Sequence, residues 1–188
     1  MKEQKFGVDI CGLSPLSQHN PDIMLKIAAD RPRDHFKWEK EHWLDMTYRD
    51  GNGGFVIPRH AIRGVLREAV RFTNLKPPRG MGSLKTLIES CMVVESDAKI
   101  EDADEKRVLQ WVEWVVVRNM GKAARIQRCR PLFPLPWKAY TTIMVFDDFL
   151  TLAVMQELAD SAGHKCGLME ARKLGYGRCE IELTRIEQ

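Results

Sequence analysis

The feature that most constrains the fold is a segment in which arginine recurs at every fourth position. These arginines are Arg59, Arg63, Arg67 and Arg71. In an α-helix, which turns by about 100° per residue, this spacing spreads the side chains over an arc of roughly 120°. The apolar residues of the segment fall on the adjoining arc, and they are Ile62, Val65, Leu66, Ala69, Val70 and Phe72. The segment 59–72 therefore predicts an amphipathic helix that packs on a core and turns a cationic face outward.

The cationic face contains a single acidic residue that could balance it. Because Glu68 is the one acid within the stripe, the usual ladder of ion pairs between residues four apart is missing. One interpretation is a solvated helix face, which is what most charged faces are. The other is a surface that binds phosphate groups, which are neutralised in proteins by arginine and lysine. The regular spacing favours binding, and the solvated face stays open as the alternative.

Charge is segregated along the whole chain, although the formal net charge is only +3. Residues 59–79 and 118–130 are strongly basic, and residues 118–130 contain no acid. Residues 95–105 are strongly acidic. Such polarised charge indicates one anionic partner surface and not a protein that is basic all over.

Length and composition are those of one folded domain that spans residues 1–188. The chain is 44% hydrophobic and 29% charged, which is ordinary for a folded protein of 188 residues. Its five cysteines show no C-x-x-C spacing, so neither a zinc nor a redox motif is supported. The chain has no apolar signal core at its start and no stretch of 18 apolar residues. We expect a cytoplasmic protein with no membrane partner and no metal.

The hydrophobic pattern predicts short strands and helices in alternation. Strands are expected at 5–13, 92–94, 111–117, 139–146 and 176–183. Helices are expected at 22–29, 36–43, 59–72, 83–90 and 149–161, with Ser83 capping the fourth and Asp147 or Asp148 capping the last. Without insertions, the order is strand, helix, strand, strand, helix, strand. It predicts an α+β fold of the ferredoxin-like (RRM-like) βαββαβ type, in which two helices cover one face of an antiparallel sheet.

Two long segments interrupt this order. An insertion at 14–50 follows the first strand, and a basic, proline-bearing loop at 118–137 precedes the strand at 139–146. The insertion carries Trp38 and Trp43, which either stack on nucleic-acid bases or form a small local core.

Two separated motifs resemble a known family. The first is Ile57-Pro58 followed by a helix start that reads Ile-Arg-Gly-Val-Leu-Arg at 62–67. The second is Gly-Tyr-Gly-Arg at 175–178, directly before the last strand. Both resemble the RAMP superfamily of ferredoxin-like RNA-binding proteins, typified by backbone subunits of CRISPR effector complexes. The Arg-x-Arg-Pro-x-Phe stretch at 128–133 is similar to small single-domain relatives encoded by phages and mobile elements.

The resemblance implies a non-catalytic protein that coats a single strand, RNA or else DNA. Its copies would assemble head to tail into a filament, with other subunits of a ribonucleoprotein complex as further partners. In the family, an insertion such as 14–50 is a thumb-like protrusion that wedges into the bound strand and reaches the next subunit. The acidic segment 95–105 would then serve contacts between subunits.

The residues expected to bind nucleic acid come from three segments of the chain. They are Arg59, His60, Arg63, Arg67, Arg71, Lys122, Arg125, Arg128, Arg130, Gly175, Tyr176, Gly177 and Arg178. Glycine tolerates positive φ, so the two glycines would let the backbone approach a phosphate and donate N–H groups to it. The alternative for these glycines is a plain tight turn.

Two other classes of function remain open. One is a metal-independent RNA-processing endonuclease of the RAMP type, for which His19, His35, His42, His60 and His164 are candidates by residue type alone. The other is an interaction protein that joins or mimics a CRISPR-type assembly. No Walker loop, nucleophile elbow or Rossmann fingerprint is present, so no cofactor and no catalytic residue is assigned.

Overall fold

Two antiparallel sheets and five α-helices build the α+β fold of this protein, seen in a computed structural model that describes residues 3–119 and 122–187. The strands are β1 Gln4–Gly12, β2 Leu16–Ser17, β3 Val56–Ile57, β4 Met92–Val94, β5 Ala98–Ile100, β6 Leu109–Asn119, β7 Lys122–Phe133, β8 Lys138–Val145 and β9 Cys179–Ile186. The helices are α1 Ile23–Asp30, α2 His35–Glu41, α3 Arg59–Ala69, α4 Leu84–Cys91 and α5 Leu152–Ser161. In the part of the chain that is described, none of the helices has the length and apolar character needed to cross a membrane.

The first sheet has the strand order β3-β5-β8-β1-β9, and β4 pairs with β8 as well. β1 lies between β8 and β9 and is antiparallel to both, with Val8 opposite Thr141 and Leu183. Because side chains alternate across a strand, Phe6, Val8 and Ile10 all lie on the buried face.

Helices α3 and α5 pack against each other and contribute to the same core as the first sheet. The predicted helix at 59–72 is confirmed: α3 runs to Ala69 and a 3₁₀ turn, Val70–Phe72, extends it. Burying a large aliphatic side chain such as Ile62 or Leu66 contributes about 1.5–3 kcal/mol, which fixes the rotation of α3 about its axis. Its arginines therefore point away from the sheet.

One of the two predicted helix caps is correct. The Ser83 hydroxyl accepts a hydrogen bond from the Thr86 N–H at 3.2 Å, so Ser83 caps α4 as expected. The cap of α5 is Thr151, and the prediction of Asp147 or Asp148 is wrong. Asp147 instead accepts a hydrogen bond from the Phe149 N–H at 2.9 Å and closes a turn before the helix begins.

Gln156 of α5 pairs with the outer edge of the first sheet. Its side-chain amide donates to the Ile181 carbonyl at 2.8 Å, and its carbonyl oxygen accepts from the Leu183 N–H at 2.9 Å. A side chain thus fills the donor and acceptor positions that a further strand would take beside β9.

The second sheet has the order β2-β7-β6 and corrects the prediction of a basic loop at 118–137. Residues 122–133 form β7, which pairs with β6 in a long hairpin, with Val112 opposite Cys129 and Val116 opposite Arg125. Arg125, Arg128 and Arg130 of this range lie opposite Val116, Glu113 and Trp111 of β6. Such cross-strand pairs stabilise a sheet, so the arginines belong to a strand and not to a loop. The strand predicted at 111–117 is confirmed as part of β6, in this second sheet.

The insertion at 14–50 lies along the second sheet. Its two predicted helices are confirmed as α1 and α2, and α2 and the 3₁₀ turn Trp43–Met46 contact β7. A small core of its own contains Ile23, Ile27, Trp38 and Met46. Trp38 is buried, and its indole N–H donates to Asp30 at 2.9 Å, so the local-core interpretation of this tryptophan is correct.

Candidate nucleic-acid interface

The outer face of α3 presents its arginines to solvent, and Glu89 of α4 and Glu68 of α3 itself pair with arginines of the stripe. Arg67 pairs with Glu89 of α4 at 2.9 Å, and Arg63 donates to the Glu89 backbone carbonyl. Arg71 pairs with Glu68 at 2.7 Å. Exposed ion pairs of this kind contribute about 0–1 kcal/mol, so a phosphate can replace the acid at small cost.

Three clefts lie in this region, and two of them border α3. The first, of about 290 Å³, lies between α3 and the segment 167–172. The second, of about 280 Å³, lies between the start of α3 and β4. The third, of about 550 Å³, lies between the β6–β7 hairpin and the segment 169–174.

Shared lining residues show that the clefts adjoin one another. His60 lines both the first and the second cleft. Met169, Glu170 and Arg172 line both the first and the third. We call this row of adjoining clefts, from Arg59 and Arg63 to the β6–β7 hairpin, the track.

Arginine and glutamate alternate on the wall of the track. Arg172 pairs with Glu68 at 2.6 Å, and this hydrogen bond holds the pKa of Glu68 below its ordinary value. Arg130 pairs with Glu113 at 3.0 Å and with Glu170 at 3.5 Å. Burial raises the pKa of Glu113, because desolvation disfavours its charged form more than Arg130 favours it.

The first cleft contains two histidines and a tyrosine that come from separate segments. The exposed His60 ring meets the Tyr48 ring edge to face, with 6.2 Å between centroids. The Tyr48 hydroxyl donates to the His19 backbone carbonyl at 3.3 Å. The fully buried Gln18 anchors this arrangement, since its side chain accepts from the Tyr48 N–H and donates to the Val56 carbonyl, both at 2.9 Å.

The arginines predicted on the basic loop have different surroundings from those expected. Arg128 forms an ion pair at 2.8 Å with Glu39, whose side chain is 1% exposed. The guanidinium of Arg128 is therefore directed into the protein and not toward solvent. Arg130 is held between Glu113 and Glu170 at the edge of the track. Arg125 is exposed on the hairpin, and the side chain of Lys122 lies outside the described residues.

The glycine turn at 175–178 packs against Leu168, next to residues that line the track. Gly177 has a φ of 70°, its N–H donates to the Pro15 carbonyl at 2.8 Å, and a Cβ there would lie 2.0 Å from the Leu168 carbonyl oxygen. Close packing therefore requires this glycine. Gly175, with a φ of 88°, is exposed and has open space around its Cα.

The other two residues of this turn also make contacts within the chain. Tyr176 packs on Trp111 with 4.5 Å between ring centroids. The Arg178 N–H donates to the Ser14 hydroxyl at 2.8 Å, and its side chain donates to the Arg172 carbonyl at 3.4 Å. Among the predicted binding residues, the structure brings Arg59, His60, Arg63, Arg67 and Arg130 together on the track, and Arg71 pairs with Glu68, which lines it.

Sequence reasoning missed several lining residues of the first cleft. Tyr48 and Gly64 belong to it, and His19 was a candidate by residue type alone. Met169 of the first cleft and Ala171 of the third have positive φ values of 61° and 54°, which non-glycine residues seldom adopt. Gly64 is the sequence sign that could have revealed this cleft. A glycine inside a helix destabilises it by about 0.5–1 kcal/mol relative to alanine, so its presence suggests that space is needed there.

Solved structures show where this fold occurs. Cmr6 from Pyrococcus furiosus is 16% identical, with a TM-score of 0.50 over 95% of this chain and 97% of Cmr6. A chain of the Type III-B Cmr-beta complex bound to cognate target RNA is 12% identical, with a TM-score of 0.59 over 99% of this chain and 61% of that chain. This chain shares their fold. No family model and no curated protein matches it.

Proposed function

We propose that this protein is an RNA-binding subunit of a CRISPR-type ribonucleoprotein complex and that it holds a single strand in the track. The observation that carries the proposal is that three adjoining clefts share lining residues and that two of them border the arginine face of α3. The fold shared with a chain of an RNA-bound Cmr-beta complex supports it.

We also infer that the first sheet, α3 and α5 are the ferredoxin-like βαββαβ plan of the RAMP superfamily. In this interpretation β4 and β5 together take the place of the second strand. The spatial order of β9, β1, β8 and β4 with β5 supports it, as do two helices packed together over one core. The insertion at 14–50 and the β6–β7 hairpin are then additions to a single domain.

Phosphate groups of the strand would lie on the arginines at the start of the track. Arg59, Arg63 and Arg67 are exposed there, and a phosphate would take the position that Glu89 occupies beside Arg67. Farther along, Trp114 lines the third cleft and is 63% exposed. Stacking of a base on such a ring contributes about 1–3 kcal/mol and tolerates any base.

The finer form of the proposal is that copies of the chain follow one another along the strand. An open track lets a strand pass from one copy to the next. Two acids of the segment 95–105 are already paired within the chain, Glu95 with Lys5 and Glu105 with Arg49, both at 2.7 Å. The segment therefore has less free negative charge for contacts between copies than its composition suggests. Electron microscopy of the protein with saturating RNA distinguishes a filament from a discrete complex.

The direct test replaces Arg63→Glu and Arg67→Glu together and measures the affinity for a short single-stranded RNA by fluorescence anisotropy over a range of salt. Wild type should lose about 0.7 log units of affinity per log unit of salt for each phosphate contact. The double variant should bind weakly and show a shallower slope. The matched control is Arg33→Glu with Lys37→Glu, which removes the same charge from exposed positions away from the track. Equal loss of affinity in both variants, or a flat salt response in wild type, would contradict the proposal.

A further inference from the structure

Strand β6 has an unpaired backbone edge along its length. It is the last strand of the second sheet, in the order β2-β7-β6, and it pairs with β7 without a bulge from Leu109 to Asn119. On its other side, no hydrogen bond joins its backbone to another element among the described residues. An edge of this kind is a template on which a further strand can add.

The pairing with β7 shows which residues of β6 turn their backbone groups to this edge. In an antiparallel pair, opposite residues alternately exchange hydrogen bonds with each other and point away from each other. The Cys129 N–H donates to a side chain of α2 at 3.0 Å, and the Pro131 carbonyl accepts from the residue after β2, so both point away from β6. Val112 lies opposite Cys129, so its N–H and carbonyl point to the outer edge. By the same alternation, so do those of Trp114 and Val116.

The side chains of these three residues are apolar and exposed. Val112 is 40% exposed, Trp114 63% and Val116 61%. The third cleft is lined by the consecutive residues 113–116. Because successive side chains lie on opposite faces of a strand, a lining by consecutive residues places the cleft beside the edge of β6. A volume of about 550 Å³ is therefore open where a further strand would lie.

The edge of β6 lacks the usual means of protection. Edge strands are commonly protected by lysine, proline, bulges or an inward-pointing charge. β6 contains neither lysine nor proline, and the buried carboxylate of Glu113 is paired with Arg130 at 3.0 Å. At β9, by contrast, the amide of Gln156 occupies the edge. Of these two long edges, β6 is therefore the one that can accept a strand.

Two copies of β6 are complementary to each other. When they pair antiparallel about a two-fold axis at Trp114, this residue lies opposite its own counterpart. Val112 then lies opposite Val116 of the second copy, and Glu113 lies opposite Val115. Aromatic and β-branched cross-strand pairs stabilise a sheet, whereas like charges directly opposite each other destabilise it. A register centred on Glu113 is disfavoured, because it would place two carboxylates opposite each other.

We propose that β6 binds β6 of a second copy of this chain by strand addition, with Trp114 at the two-fold axis. The two three-stranded sheets then join into one sheet of six strands. Both copies use the same surface, so the contact closes at two copies and is distinct from a head-to-tail contact along RNA. The dimer needs no nucleic acid, and it brings the two Trp114 rings side by side on one face of the joined sheet.

The test measures the mass of RNA-free protein by size-exclusion chromatography with light scattering over a range of concentrations. Wild type should change from monomer to dimer as the concentration rises. Trp114→Lys with Val116→Lys should weaken the dimer at least about tenfold, because it removes a central tryptophan and places like charges across the axis. The control, Leu25→Lys with Tyr140→Lys, changes residues that are 74% and 43% exposed elsewhere and should dimerise as wild type does. Circular dichroism checks that both variants are folded.

Hydrogen exchange followed by NMR identifies the strand contact itself. The amides of Val112, Trp114 and Val116 should gain protection as the dimer forms, because their N–H groups point to the outer edge. Those of Glu113 and Val115, which donate to β7, should change little. The inference is overturned if wild type stays monomeric at every concentration, if the lysine variant dimerises as wild type does, or if a dimer forms without this alternating gain of protection. RNA binding is measured separately, so its absence removes the proposed function and leaves the dimer unaffected.

Discussion

The glycine turn at 175–178 offers a sharp test, because its two glycines share a left-handed backbone but differ in how closely they are packed. Both have a positive φ, 88° at Gly175 and 70° at Gly177, so alanine at either position adopts a left-handed conformation. That conformation costs about 1–2 kcal/mol. At Gly175 nothing lies within 4 Å of the added Cβ, and at Gly177 the Leu168 carbonyl oxygen lies 2.0 Å from it.

The two alanine variants should therefore differ in stability. Gly175→Ala should cost about 1–2 kcal/mol, the conformational term alone. Gly177→Ala should cost a further 1–3 kcal/mol or so, because the clash is with backbone and cannot be relieved by turning a side chain. For a chain of this size, each kcal/mol lowers the Tm by about 2–4 °C.

The assay is thermal unfolding followed by circular dichroism, with RNA affinity measured on the folded variants. Equal losses of Tm in Gly175→Ala and Gly177→Ala would refute the packing argument. If the turn held a phosphate through its N–H groups, Gly175→Ala would weaken RNA binding more than it weakens the fold. We expect Gly175→Ala to lower the Tm and to leave RNA affinity nearly unchanged, since the Gly177 N–H of the same turn already donates to the Pro15 carbonyl.

Three further predictions follow from the track and its supports. Gly64→Ala should raise the free energy of unfolding by about 0.5–1 kcal/mol, because the position is helical and has open space around it. The same variant should lower RNA affinity, because the added methyl group enters the first cleft; thermal melting and anisotropy on one sample measure the two effects. Glu39→Ala should lower the free energy of unfolding, measured in urea, by about 2–3 kcal/mol. Breaking a fully buried ion pair costs about 3–5 kcal/mol, and the value is lower here because Arg128 is 23% exposed. The control, Glu41→Ala on the same helix, should change the free energy of unfolding little, because Glu41 is exposed. The pKa of Glu68 is lowered in the folded protein, so its contribution to stability is present above the ordinary value of 4.5 and is lost as pH falls below it; Glu68→Gln should lose less stability than wild type between about pH 5 and pH 3.

Local patterns in the sequence predicted the elements whose structure depends on near neighbours. The alternation at Phe6, Val8 and Ile10 predicted β1, and the helical spacing of Ile62 and Leu66 predicted α3. Ser83 as a cap is a contact over three residues. In each of these cases the interacting residues are close along the chain.

What the sequence did not predict depends on partners far along the chain. The segment 118–137 is basic and carries prolines, which predicted a loop, and the lack of a nearby acid predicted that its arginines contact phosphate. Glu39 lies 90 residues before Cys129 in the chain, yet it accepts a hydrogen bond from the Cys129 N–H and pairs with Arg128. β5 has only three residues and lies within an acidic segment, so the alternation of apolar and polar residues that predicts a strand is too short to recognise. The track itself joins His19, Tyr48 and His60 from separate segments, and no spacing could reveal that they meet.

The amide of Gln156 has a consequence for how this protein can join others. An edge strand is a template on which a foreign strand can add by main-chain hydrogen bonds. Gln156 occupies that template at Ile181 and Leu183 with one donor and one acceptor, as a peptide group would. An incoming strand would have to displace Gln156 to pair with β9 at these two residues, so the side chain protects this edge of the sheet against strand addition.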